Sequence, residues 1–93
     1  MSLLEKIPIK NDKYVSRIVE GQAVILEPES NRIKLLNKVA SRIWECIDGQ
    51  RTGKDILQII LDEYDVKEEL AKEHLIKFLQ ELFDGDLIIF KNS

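Results

Sequence analysis

The sequence predicts a small α+β domain in which a three-stranded antiparallel sheet is followed by three helices in a winged-helix-like arrangement. Two observations predict this class. Three short runs rich in alternating or clustered apolar residues lie between residues 14 and 36. From residue 38 to residue 83, apolar residues instead recur at the three- and four-residue spacing of amphipathic helices. A chain of 93 residues is long enough to bury one such core.

Turn-forming residues separate the three predicted strands. The first strand covers residues 14–19, and Gly21 after it suits the positive φ of a tight hairpin. The return strand at 23–26 is almost wholly apolar, as expected for the central strand of a sheet. After a polar loop, residues 32–36 alternate charged and apolar side chains, which predicts a half-buried edge strand.

Two capping residues mark the first two helices. Asn37 is a good N-cap for a helix over residues 38–47, because its side-chain oxygen can accept a backbone N–H that the first helical turn leaves unpaired. Gly49 ends this helix. Thr52 similarly caps a second helix over residues 53–64.

The third helix and the first residues complete the predicted organisation. Asp65, followed three residues later by Glu68, predicts a capping box for a third helix over residues 66–83. The segment 1–12 is predicted to be an extended N-terminal arm, and residues 13–90 to be a single domain. A short strand or extended tail is expected after the third helix.

Composition argues against several classes of function. The net charge of −3 does not suit a nucleic-acid surface, which needs clustered cations. The apolar runs are too short to span a membrane. Cys46 is the single cysteine, so no internal disulfide can form, and no apolar signal segment follows Met1. These features predict a cytoplasmic protein that contacts neither nucleic acid nor membrane.

No catalytic or metal-binding set is evident. Cys46 and His74 are the only candidates for a nucleophile and its base, and no third group is indicated to orient them. One cysteine and one histidine also cannot build the usual Cys/His zinc site. The sequence therefore predicts a protein that is not an enzyme and binds no cofactor or metal.

An open edge beside a wide apolar helix favours peptide binding. In a meander, the third strand has one unpaired side, where an extended peptide could add as a further strand. The apolar residues of the third helix span an arc of about 160°, whereas packing on one core needs only about 100°. The alternatives are that this face is simply core and that Arg32 and Lys34 only protect the edge from aggregation.

A DNA-binding winged helix is the competing interpretation, with the third helix in the major groove. The charged side chains of that helix are mostly acidic, and such a surface repels phosphates. The acidic residues are Glu68, Glu69, Glu73 and Glu81, against the basic residues Lys72 and Lys77. The winged-helix DNA-binding regulator is therefore the less favoured alternative.

An ordered set of short motifs runs through most of the chain. The motifs are Val15-x-Arg17 with Glu20-Gly21-x-Ala23-Val24, Leu36-Asn37, Ile43-Trp44-Glu45 with Asp48-Gly49, and Phe78-Leu79-x-x-Leu82 with Gly85 and Leu87-Ile88. Together they resemble the PqqD family, the peptide chaperones of pyrroloquinoline quinone biosynthesis and their relatives. The resemblance implies a non-catalytic protein that binds the leader of a ribosomally made precursor peptide. It also implies delivery of that peptide to a maturation enzyme, such as a radical-SAM maturase, a cyclase or a leader peptidase.

The same resemblance implies where the leader would bind, namely as a strand beside the third strand and against the third helix. The expected site residues are Arg32, Ile33, Lys34, Leu35 and Leu36 on the strand, and Lys72, Leu75, Phe78, Leu79 and Leu82 on the helix. Of the helix residues, the four apolar ones are expected to form the floor of a groove, with cations at its rim. Strand exchange through the N-terminal arm would give a homodimer, an alternative that the sequence leaves open.

Overall fold

The computed structural model describes residues 3–27, 29 and 32–91. A 3-10 turn at Leu3–Glu5 precedes strands β1 (Ile7–Lys10), β2 (Val15–Val19), β3 (Gln22–Glu27) and β4 (Arg32–Leu35), helices α1 (Lys38–Cys46), α2 (Gly53–Glu63) and α3 (Glu68–Asp84), and strand β5 (Ile88–Lys91). The α+β class, the three-stranded sheet and the three helices are confirmed. The winged-helix-like arrangement stays a prediction.

The three-stranded sheet is an antiparallel meander with the order β2-β3-β4. Its first hairpin turns through two residues, Glu20 and Gly21, whose φ angles of 52° and 82° are both positive. This is the pattern of a type I′ turn, whose twist matches that of the flanking strands. Val19 therefore lies opposite Gln22, and the register of β2 with β3 follows from this turn.

A second, two-stranded sheet joins the two ends of the chain. Strand β1 pairs antiparallel with β5, so that Ile7 lies opposite Lys91 and Lys10 opposite Ile88. Pro8 and Leu4 are buried. The segment predicted as an extended arm thus contributes a strand and two buried side chains to the folded body. Pro8 is compatible with this strand because, within the described residues, β1 has a neighbouring strand on one side only.

The helix caps are confirmed for α1 and α2 but not for α3. The side chain of Asn37 accepts the N–H of Ala40 at 2.8 Å. Thr52 and Asp55 form a reciprocal capping box. Helix α3, by contrast, begins at Glu68 without a side-chain cap, so the predicted capping box there is wrong. Glu68 is the first helical residue and cannot reach back from the third helical position, as a capping box requires.

One core lies between the helices and the two sheets. Trp44 of α1 is 2% exposed, and its indole N–H donates to the hydroxyl of Ser16 at 3.1 Å. The ammonium of Lys10 lies 4.8 Å from the centre of the indole ring, which connects β1 to the same helix. None of the helices in the described part of the chain is long and apolar enough to cross a bilayer.

Candidate functional site

Among the described residues, no strand pairs with the edge of β4 that faces away from β3, and the hydrogen-bonding groups of this open edge can be assigned. The N–H of Leu36 donates to the carbonyl of Ala23 at 3.0 Å, on the side of β3. Hydrogen-bonding direction alternates along an antiparallel strand, so Lys34, opposite Ile25, also points its backbone groups toward β3. The N–H and C=O groups of Ile33 and Leu35 must then point away from β3, toward the open side.

The two faces of β4 differ in character. Cross-strand partners share a face of the sheet. Lys34 lies opposite Ile25, which is fully buried, so Lys34 is on the inner face, the side of the sheet that carries the core residues. Ile33 and Leu35 are on the opposite, outer face and are 67% and 63% exposed. The cations of β4 and its apolar side chains therefore lie on different faces.

A groove of about 290 Å³ opens beside Asn37, two residues after β4 ends. It lies among all three helices and is almost entirely apolar. Its lining residues are Asn37, Val39, Ile43, Leu57, Ile60, Val66, Leu70, Ala71, His74 and Leu75. Asn37 and His74 are its two polar residues. A concave apolar surface with few polar groups is typical of a binding site.

The structure places only part of the predicted groove floor in this groove. Leu75 lines it, but Leu79 and Leu82 are fully buried in the core, and Phe78 packs partly buried against the core. The burial of Leu79 and Leu82 corrects the prediction that they form an exposed floor, whereas a place for Phe78 in a peptide groove stays a prediction. Lys72 is exposed and is not among the groove residues.

The physical reason is that α3 divides its apolar residues between two neighbours. Its C-terminal half packs on the core beside Leu87 and Ile88, which explains the burial of Leu79 and Leu82. Leu36, predicted as a site residue on the strand, is also a core residue, only 5% exposed. The remaining strand residues, Arg32, Ile33, Lys34 and Leu35, all lie on the open-edged strand.

The residues that line the groove from the first half of α3 and the first turn of α1 were not among the site residues predicted from the sequence. Leu70 and Val39 are 48% and 39% exposed, although both are large apolar residues. A signal for them was present. Val66, Leu70 and His74 recur every four residues, on a line offset from the core positions Leu75, Leu79 and Leu82.

Cys46 and His74, the nucleophile and base considered from the sequence, lie in different settings. Cys46 is buried in α1, and this burial raises the pKa of its thiol, whereas His74 lines the exposed groove. A buried thiol with a raised pKa is a poor nucleophile. The described residues contain no group of three or more His, Cys, Asp or Glu side chains that could hold a metal ion.

A small domain with an open strand edge beside an apolar groove has the geometry of a peptide-recognition module. This chain belongs to the family of coenzyme PQQ synthesis protein D (PqqD), whose family model matches residues 22–88. That match extends from the start of β3 to the start of β5 and includes every residue of the groove and of β4.

Two solved structures share the fold. One is TbiB1 in complex with the TbiA(beta) leader peptide, 25% identical, with a TM-score of 0.80, covering 91% of this chain and 99% of the other. The second is lasso peptide synthetase B1 complexed with the leader peptide, 17% identical, with a TM-score of 0.78, covering 89% and 98%. No curated protein sequence matches the chain.

Proposed function

We propose that this chain binds the leader of a ribosomally made precursor peptide as an added strand along β4 and presents it to a maturation enzyme. The observation that carries the proposal is the outward direction of the Ile33 and Leu35 backbone groups at an open edge. Membership of the PqqD family supports it, as does the likeness to TbiB1, whose structure holds a leader peptide.

Backbone pairing would supply the general part of the affinity. Ile33 and Leu35 together offer two N–H donors and two carbonyl acceptors to an added strand. Each hydrogen bond contributes a net free energy of about 0.5–1.5 kcal/mol, because water is displaced from both partners. Such bonds hardly depend on the sequence of the peptide, so they hold any extended segment without selecting one.

The groove would supply selectivity. A strand that continues beyond Leu35 passes Asn37 and can insert an apolar side chain between α1 and α3. Burial of one large anchor contributes about 1.5–3 kcal/mol. Arg32 is exposed, and its pairing with an acidic leader residue would contribute less than about 1 kcal/mol and weaken with salt.

In this proposal the chain performs no chemistry of its own. The buried thiol of Cys46 and the groove-lining His74 have separate structural settings, and neither is needed for strand pairing. The client would be a radical-SAM maturase, a cyclase or a leader peptidase. The role of the chain would be to raise the local concentration of the precursor at that enzyme.

Proline substitution at the β4 edge tests the proposal. Leu35→Pro removes an outward N–H without breaking a bond to β3, so the domain should fold and lose leader affinity. The probe is a labelled peptide selected on the wild-type chain from a random peptide library, titrated by fluorescence anisotropy. We expect the Kd of Leu35→Pro to be at least about tenfold higher than that of the wild-type chain.

The opposite edge of the same sheet offers a matched control. Ile18 lies opposite Ala23, whose backbone groups face β4, so the N–H of Ile18 points away from β3. Ile18→Pro therefore makes the same chemical change at the β2 edge and should leave leader affinity within about twofold. If the two variants, both folded by circular dichroism, bind the leader equally, strand addition to β4 is wrong.

A further inference from the structure

We propose that Ile33 and Leu35 form a second specificity surface, which selects alternate side chains of the bound strand on the outer face of the sheet. This inference rests on the proposed strand addition to β4. It identifies which leader residues are selected outside the groove and what their chemistry is.

The first argument is geometric. Because Ile33 and Leu35 direct their backbone groups to the open edge, residues of an added strand pair directly with them. Paired residues lie on the same face, with Cβ atoms about 4.5–5.5 Å apart. Two leader residues separated by one position would therefore lie against the Ile33 and Leu35 side chains, away from the groove.

The second argument is the segregation of charge on β4. On the outer face, Gln22 lies beside the hairpin turn, and the side chains of β3 and β4 beyond it are all apolar, namely Val24, Leu26, Ile33 and Leu35. Arg32 and Lys34, the two cations of β4, are on the inner face. The leader residue opposite Lys34 meets a cation, whereas its two neighbours meet apolar surface.

The third argument is exposure. Ile33 and Leu35 are the two most exposed large apolar side chains among the described residues. An added strand with β-branched or aromatic residues at the paired positions would cover them, and such cross-strand pairs are favourable. The structure thus assigns a leader segment with the order apolar, acidic, apolar to Ile33, Lys34 and Leu35.

A random peptide library displayed on phage provides a probe that needs no known leader. Peptides selected on the wild-type chain should share two apolar residues, one position apart, with an acidic residue between them. Selection on the double variant Ile33→Thr, Leu35→Thr should lose the apolar preference at these two positions and keep the groove anchor. Threonine retains the preference for strand structure, and both sites are exposed, so the fold should survive.

A double-mutant cycle on one selected peptide gives the quantitative test. Replacing its two outer apolar residues by Ser should weaken binding to the wild-type chain about 2- to 25-fold, since each of the two pairs contributes about 1.5- to 5-fold. The same replacement in the peptide should weaken binding to the double variant less than twofold. Val15→Thr, Val19→Thr on β2 is the matched control on the same face and should behave as wild type.

The outcomes separate this inference from the function on which it rests. If the library yields no binder that competes for the β4 edge, the proposed function fails. If binders are obtained and Leu35→Pro abolishes their binding, but the outer positions vary freely and the cycle shows no coupling, only the outer-face surface is refuted.

Discussion

The hydroxyl of Ser41 lies between Ala23 and Leu36, where a further hydrogen bond between β3 and β4 would otherwise form. It accepts the N–H of Ala23 at 2.7 Å and donates to the carbonyl of Leu36 at 3.2 Å. Ser41 itself is fully buried. The hydroxyl therefore ends the pairing of β4 without leaving an unpaired backbone group, and it fixes helix α1 to the sheet beside the open edge.

Ser41→Ala should destabilise the domain by about 1–3 kcal/mol, because it leaves the buried N–H of Ala23 without its partner and the Leu36 carbonyl with only the 3.3 Å bond from the Gln22 side chain. Urea unfolding followed by circular dichroism measures this change. Ser16→Ala is the matched control. Ser16 is exposed, so water can replace its bond to Trp44, and the loss should be smaller. Equal losses for the two variants would contradict the role assigned to Ser41.

Proline at Lys34 should behave differently from proline at Ile33. The N–H of Lys34 points to β3, so Lys34→Pro removes a bond within the sheet and should destabilise the domain by at least about 1 kcal/mol. Ile33→Pro removes only an outward N–H and should unfold close to the wild-type denaturant midpoint. If Ile33→Pro is the more destabilising change, the assigned hydrogen-bonding direction of β4 is wrong.

Gly53→Ala should loosen the packing of the N-terminal turn against α2. A Cβ atom at Gly53 would lie 2.9 Å from the carbonyl oxygen of Leu3 and 2.9 Å from the Cα of Leu4, which are both backbone atoms. Overpacking of this kind typically costs about 1–3 kcal/mol. Gly85→Ala is the comparison, since its closest contact, to the carbonyl oxygen of Glu81, is 3.4 Å. In thermal melts, Gly53→Ala should have a lower melting temperature than Gly85→Ala.

Filling the groove should weaken leader binding without unfolding the domain. Ala71 lines the groove and is half-buried, so Ala71→Phe places a ring where the leader anchor is proposed to bind. The expected loss in affinity is about 10- to 150-fold, the value of one large buried anchor. The neighbouring residue Lys72 does not line the groove, so Lys72→Ala should change the affinity for the leader less than threefold. If Lys72→Ala weakens leader binding more than Ala71→Phe does, Lys72 contacts the leader, as the sequence predicted.

The ion pair between α1 and α2 predicts a pH-dependent stability. Two hydrogen bonds of 2.7 and 2.8 Å join Arg42 to the carboxylate of Glu63. They lower the pKa of Glu63 below its usual 4.5. A carboxylate with a depressed pKa stabilises the fold above its unfolded pKa, and the contribution disappears as pH falls through the folded value. At pH 7 the wild-type chain should therefore have a higher melting temperature than Glu63→Gln. The difference between the two melting temperatures should vanish at acidic pH. A difference that persists there would exclude an ionic origin.

The features that were predictable from sequence are those that depend on neighbours along the chain. Gly21 indicates its hairpin because few residues other than glycine tolerate positive φ. Asn37 and Thr52 indicate helix starts because a cap bonds within three residues of itself. These local signals were sufficient for the order of strands and helices and for identifying β4 as an edge.

The features that were not predictable depend on contacts between distant segments. The pairing of Ile7 with Lys91 leaves no periodic signal at either end of the chain. The division of α3 between core and groove depends on which element covers each half, so Leu79 and Leu70 look equivalent in the sequence although one is buried and the other is not. The direction of the Lys34 N–H likewise requires the register with β3, which the sequence alone does not specify.

The pairing of β1 with β5 also determines the order in which the domain can be completed during synthesis. The first strand leaves the ribosome long before its partner, and until residues 88–91 emerge it has no strand to pair with. The meander and the groove helices lie entirely between these two strands, so they can assemble earlier. A nascent chain can thus display the β4 edge while Pro8 still lacks its partner Phe90, and strand β5 then completes the two-stranded sheet.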